Sequence, residues 1–232
     1  DVWLQRLGGE IEPLALPTDR PRPAVQTFRG GYLPLVLPVE LAARLRAFGR
    51  RENATLFMTL LAAAKALLQR QSGQDDVLVG TPIAGRRQLE TEGLIGFFLN
   101  TLVLRTDLSG NPSLRGLVAR VREVTLDAFA REDVPFEAVL AGLKGERDLS
   151  RTPLFQVLFN LLNLPRGEIR LPELTLTPLA AAEGVPSKFD LTFYVTEGEK
   201  EIAVELVYNA DLFDAARIAD LAAQYTSLLT QA

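Results

Sequence analysis

Between Gly93 and Arg105 the chain reads Gly-Leu-Ile-Gly-Phe-Phe-Leu-Asn-Thr-Leu-Val-Leu-Arg, and no other stretch constrains the fold as much. Gly93 and Gly96 break the backbone. From Phe97 onward the residues are almost continuously apolar, with aromatic and β-branched side chains among them. That composition predicts a strand from Phe97 to Arg105, and its continuity predicts one covered on both faces. Asn100 interrupts the run. A buried amide needs hydrogen-bond partners, so Asn100 either braces a loop or faces a channel.

The rest of the chain alternates helix and strand patterns around this run. Trp3, Leu4 and Leu7 predict a short helix stopped by Gly8 and Gly9, and the proline-rich Leu16–Pro23 then predicts an extended connector crossing the surface. A strand is expected from Tyr32 to Leu37. Two helices follow, the first with a stripe of Leu41, Leu45 and Phe48. The second runs from Thr55 to Gln71 and carries Leu56, Leu60, Ala64, Leu67 and Leu68, with Gly73 as its stop. Asp76 to Ile83 reads as a valine-rich strand. Asn111 as cap and Pro112 as first helical residue open a helix reaching about Arg131, and Pro135 opens a shorter one to Leu143. Further strands are expected at Phe155–Leu161 and Leu174–Leu179. Phe189–Val195 and Ile202–Tyr208 alternate around Gly198 as a hairpin, and Asp214 caps a last helix. This order predicts an α/β (α+β) two-layer sandwich, a mixed sheet with helices chiefly on one face.

Two absences bound the chemistry. The 232 residues include no histidine and no cysteine, which leaves no thiol nucleophile, no imidazole base and no zinc or copper site of the usual kind. A general base would have to be a carboxylate, lysine or tyrosine. A net charge of −4 argues against a nucleic-acid or anionic-membrane partner, and no apolar run is long enough to span a bilayer; without cysteine the redox compartment stays undecided, and cytoplasm is the default expectation. Residue 1 is Asp and the single methionine is Met58, so the chain is expected to be a piece of a longer one. Phosphate-loop, dinucleotide and nucleophile-elbow motifs are missing, and the pairs Asp75-Asp76 and Glu132-Asp133 read as solvated surface carboxylates. Residue chemistry alone ends at an α/β domain with no evident catalytic or metal-binding group.

Three segments, in order, resemble the motifs of nonribosomal peptide synthetase condensation domains, members of the chloramphenicol-acetyltransferase-like superfamily. Ile95-Gly-Phe-Phe-Leu-Asn-Thr-Leu-Val-Leu-Arg105 resembles the family's Ile-Gly-x-Phe-Val-Asn-Thr. Arg131-Glu-Asp-Val-Pro-Phe-Glu137 resembles His-Gln-Asp-x-Pro-Phe-Glu. Arg147-Asp-Leu-Ser-Arg-Thr-Pro-Leu-Phe-Gln156 resembles Arg-Asp-x-Ser-x-x-Pro-Leu-Phe-Gln. Lesser matches are Leu16-Pro-Thr-Asp-Arg-Pro, Ser72-Gly-Gln-Asp-Asp-Val-Leu-Val-Gly-Thr-Pro82 and Ser187-Lys-Phe-Asp-Leu191. The family's His-His-x-x-x-Asp-Gly motif has no counterpart, and Arg131-Glu132 stands where the family has His-Gln.

The resemblance implies the C-terminal lobe of a two-lobed, amide-forming domain, with residues 1–29 as helix and linker from the preceding lobe and 30–232 as the lobe itself. It implies no catalytic residue and no cofactor in this chain; phosphopantetheine would arrive on peptidyl carrier proteins. The N-terminal lobe of the same domain and an adjacent adenylation domain complete the implied partners. Arg86 would pair across the cleft with the aspartate of the absent motif, or be a solvated loop arginine. The Gly80–Phe98 loop would be the family's floor loop, and Leu176–Asp190 the latch to the other lobe, placing Asp190 at the lobe interface. Ser187 and Asn100 would line the tunnel, Ser187 meeting the acceptor substrate or simply closing a turn. The alternative is a non-catalytic carrier-binding module of the same fold.

Overall fold

The computed structural model describes residues 2–86, 89–143, 148–162, 169–171, 174–176 and 184–232. Its elements are α1 (Val2–Arg6), β1 (Gly30–Leu37), α2 (Val39–Arg51), α3 (Leu56–Ser72), β2 (Asp76–Ile83), α4 (Leu89–Glu92), β3 (Asn100–Asp107), α5 (Leu114–Phe129), α6 (Phe136–Gly142), β4 (Val157–Leu162), β5 (Ile169–Leu171), β6 (Leu174–Leu176), β7 (Leu191–Glu197), β8 (Ile202–Asn209) and α7 (Ala215–Thr230). Six strands form one sheet in the order β1-β8-β7-β4-β2-β3. β4 lies parallel to both β2 and β7, while the remaining pairs are antiparallel, so the sheet is mixed as expected. α3 is the centre of the helical layer, packing on α2, α5 and α7, and this layer meets β1, β2, β3 and β8.

Local chemistry explains most boundaries. Thr55 caps α3 by accepting from the Met58 amide, and Gly73 ends it in the left-handed conformation at φ 73°. The stripe Leu41, Leu45 and Phe48 on α2 is buried. On α3 Leu60, Ala64, Leu67 and Leu68 are buried and Leu56 only partly, while Phe57, Leu61, Ala62, Ala63 and Lys65 are buried too, so that helix is enclosed on more than the expected face. On α7 the expected stripe Ile218, Leu221, Ala222, Tyr225 and Leu229 is buried, and Leu228 with it. β7 and β8 form the expected hairpin, from Leu191 opposite Tyr208 to Glu197 opposite Ile202, closed by the Gly198 amide donating to Glu201 O at 2.9 Å. Pro34 sits on the edge strand β1, where a missing amide proton does least harm to the ladder.

Several details differ from expectation. β3 begins at Asn100 rather than Phe97, and Phe97 is 87% exposed, because the residues before Asn100 belong to a projecting loop. Ser113, not Asn111, caps α5 by accepting from the Gly116 amide at 3.2 Å; Asn111 instead adopts φ 48° in the preceding turn, and the helix stops at Phe129. Asp214 stands at the α7 cap position, yet its carboxylate pairs with Arg20. The Asp214 amide is capped from outside by Asp19 Oδ2 at 2.9 Å. The candidate strand Leu174–Leu179 is represented by β6, paired with β5 in a small separate hairpin, and 177–183 lie outside the described residues. The proline-rich connector does more than cross the surface: Leu16 at its start is buried in the core, as is Leu14 just before it.

Candidate functional site

Two neighbourhoods hold the residues singled out from sequence. The first is the loop between β2 and β3. Gly85 turns it at φ 62°, where a Cβ would collide with Phe98 O, so only glycine fits. Arg86 lies with its guanidinium 4.2 Å from the centroid of the Phe98 ring and donates to Thr91 O and, at 3.4 Å, to Gly96 O. The loop is thus pinned from inside by a cation resting on an aromatic face. Its outer side presents Leu94, Ile95, Phe97 and Leu99 to solvent, with Ile95 wholly exposed. Among apolar residues of a globular chain that is unusual, and clustered exposure of this kind marks contact surfaces.

Asn100 anchors the end of this loop. Its Nδ2 donates to Glu132 O at 2.7 Å and Val134 O at 2.8 Å. Its Oδ1 accepts from the Thr101 amide at 2.8 Å and the Phe136 amide at 3.0 Å. The amide therefore staples the start of β3 to the segment leading into α6. This is the bracing geometry that a polar group within an apolar run requires.

The second neighbourhood contains Ser187 and Asp190. Ser187 is 1% exposed, and its hydroxyl donates to Phe189 O at 2.6 Å. Phe189 stacks on Phe155, ring centroids 5.4 Å apart, and Phe155 packs over Gly80 in the middle of β2. Asp190 is buried and held by Arg22 from the proline-rich segment: Nη1 donates to Oδ1 at 2.9 Å, Nη2 donates to Oδ2, and Nη1 also reaches Ser150 O at 3.1 Å. Arg22 and Gln156 are organising residues that sequence reasoning did not single out. Nothing in local spacing connects positions 22, 156 and 190.

Lys65 is the buried ionisable group with the largest displacement toward neutral pH. Its Nζ donates to Val77 O at 2.9 Å and Leu104 O at 2.5 Å, with no exposed surface. Burial lowers its pKa to about 7, opposed weakly by the Asp76 carboxylate. Enclosed between α3, β2 and β3, it has no route to a substrate and acts as a cross-brace. A cavity of about 120 Å³ lies under α1, lined by Trp3, Leu7, Val103, Val124 and Ala128. Its two arginines are already committed, Arg6 to Asp127 and Arg105 to Asp76. Among the described residues no group of three or more His, Cys, Asp or Glu could hold a metal ion, and no helix is long and apolar enough to cross a membrane.

The chain is 50% identical over 228 residues to a linear gramicidin synthase of Brevibacillus parabrevis, covering 98% of this chain and 3% of that protein. Among solved structures, the X-domain from teicoplanin biosynthesis superposes with a TM-score of 0.89 at 33% identity, covering 99% of this chain and 53% of the other. The first condensation domain of the CDA synthetase shares the fold at 20% identity, with a TM-score of 0.78, covering 98% of this chain and 48% of the other. The chain thus spans a small fraction of the synthetase it matches and about half of each solved domain. The condensation-domain family model matches residues 1–232 throughout, and the chain belongs to the condensation domain family of nonribosomal peptide synthetases.

Proposed function

We propose that this chain is the C-terminal lobe of an amide-forming condensation domain, supplying one wall of the tunnel in which a carrier-bound thioester donor meets an amine acceptor. The observation that carries this reading is the loop bearing Leu94, Ile95, Phe97 and Leu99, an internally braced structure whose apolar side has no cover among the described residues. A second lobe of the same domain is the partner such a surface fits. The match to about half of each solved domain supports it. The donor and acceptor would arrive on the phosphopantetheine arms of peptidyl carrier proteins, with the acceptor amino acid loaded by an adjacent adenylation domain.

In this reading the chain alone is inactive, since it has no imidazole to take the proton of the attacking amine. Arg86 and Asp190 stand at the lobe boundary, and Asn100 and Ser187 border the tunnel. Ser187 is enclosed by this chain and its hydroxyl donates to Phe189 O, so it shapes the wall through the backbone it fixes rather than by touching the acceptor amine. The test is reconstitution. Purified N-terminal lobe, this chain and loaded carriers form the amide together, and neither lobe does so separately. Amide formation by these residues unaided would refute the reading. Carrier binding without turnover in the complete pair would instead favour a non-catalytic docking module.

A further inference from the structure

The proline-rich segment runs alongside the chain that carries Ser187 and Asp190 and is bonded to it at every few residues. The Leu14 amide donates to Gln156 Oε1 at 2.8 Å, and Gln156 O in turn accepts the Asp190 amide at 2.9 Å. Gln26 Nε2 and Thr152 Oγ1 converge on Lys188 O at 3.2 and 3.1 Å. The Ser187 amide donates to Phe28 O at 2.9 Å, and Arg29 bridges to Pro186. The proline-rich segment with Arg22, the end of the Arg147–Gln156 motif from Ser150 to Gln156, and the motif from Ser187 to Leu191 are therefore one structural node.

The node is under strain where it turns. Leu154 has φ 66°, and the Phe155 amide closes back on Pro153 O at 2.8 Å, a three-residue turn that a branched residue adopts only when its surroundings enforce it. Strain of this sort collects where geometry serves function. The ion pairs of the strap also differ in kind. Arg20–Asp214 and Arg29–Asp211 each have a largely solvated partner, and pairs like these contribute little. Arg22–Asp190 is different: Asp190 is 2% exposed, its arginine side chain 18%, and the contact is two-pronged. A forked guanidinium fixes orientation as well as charge, which a lysine cannot reproduce.

We infer that Arg22 is a positioning residue: through its two-point grip on Asp190 it holds the Ser187–Asp190 segment in the place where the amine acceptor is received. This rests on the reading of the chain as one lobe of the condensation chamber. Asp190 is joined to Ser187 by only two intervening residues, one of which, Phe189, is both the Ser187 hydroxyl's acceptor and part of the stack over Gly80. Rotation at Asp190 therefore moves the serine and the aromatic pair together.

The experiment uses the intact two-lobed domain with loaded carriers and three variants: Arg22→Lys, Arg22→Met, and the double change Arg22→Met with Asp190→Asn. Arg22→Met leaves a buried carboxylate without its cation and lowers the urea midpoint, while the double variant removes that charge and restores the midpoint. If the pair only stabilises the fold, activity returns with the midpoint. The expected result is that the double variant and Arg22→Lys fold like the wild type yet lose roughly tenfold to a hundredfold in kcat/KM for the acceptor, the penalty of a misplaced reactant. The donor KM stays within about twofold. Wild-type acceptor kcat/KM in both stable variants overturns the inference. Absence of amide formation in the unaltered domain defeats the functional reading instead, and is recognised because it precedes any substitution.

Discussion

Replacing Lys65 by methionine should stabilise the chain near neutral pH and leave it unchanged in alkali. The ammonium is enclosed completely, and its pKa falls from an ordinary 10.5 to about 7 because burial penalises the charged form. Between those two values the unfolded chain binds a proton that the folded chain does not. Stability attributable to Lys65 therefore rises with pH through the window from about 7 to 10.5, and is at its lowest below it. At about 1.4 kcal/mol per pH unit the full span corresponds to an upper limit of about 5 kcal/mol. Methionine keeps most of the stem and leaves no carbonyl orphaned. The Leu108 amide bond to Asp75 O sets the phase of the β2–β3 ladder, so the register gives Val77 O and Leu104 O strand partners in Thr106 and Val79. Urea titrations of wild type and Lys65→Met from pH 6 to pH 10 give the difference directly, other titrating groups cancelling. The variant should be more stable by several kcal/mol at pH 6, with the gap closing toward pH 10. A gap that is constant with pH, or a variant weaker throughout, would show that the two carbonyl bonds outweigh desolvation.

Asn100→Asp removes both donors to Glu132 O and Val134 O and sets a carboxylate against those oxygens; a loss of about 2–3 kcal/mol in urea stability is expected. Gly80→Ala drives a methyl into the Phe155 ring inside the sheet and should cost about 3 kcal/mol, read as a lower thermal midpoint. Ile95→Ser with Phe97→Ser should leave the urea midpoint within about 0.5 kcal/mol, because both side chains face solvent, while weakening association with the complementary lobe in sedimentation or titration calorimetry.

The layered architecture was readable because burial on helices and strands has a period. Val195 opposite Val204 and the Gly198 turn follow from alternation alone, and α3 follows from its apolar face and its Gly73 stop. End chemistry was less legible. Asn111 and Asp214 are good caps by residue type, yet a nearby serine takes the first role and Arg20 claims the second carboxylate. Both misses arise where several polar groups compete for the same amides, a contest settled by tertiary placement. The same holds for the second neighbourhood of the site. Arg22, Gln156 and Asp190 meet only because the proline-rich segment folds back along the chain beside β7, and no local pattern encodes that return.

The stretch from Leu94 to Leu104 shows why apolar letters alone cannot separate a core from a contact surface. Leu102, Val103 and Leu104 are buried in β3, whereas Ile95 and Phe97 lie in solvent, although both halves of the run are similarly hydrophobic. The transition falls at Asn100, whose amide is held by four backbone groups and so fixes where pairing with β2 begins at Ile83. Upstream of it, Gly85 and the Arg86–Phe98 stack hold a loop in a shape that turns its apolar side outward. A polar residue inside a greasy run, preceded by glycines, thus divides side chains buried by this chain from side chains it leaves exposed. If that division is right, Asn100→Asp should impair both fold and assembly, whereas changes at Ile95 and Phe97 impair assembly alone. Equal loss of stability from both would place the whole run in one core and remove the basis for a second lobe.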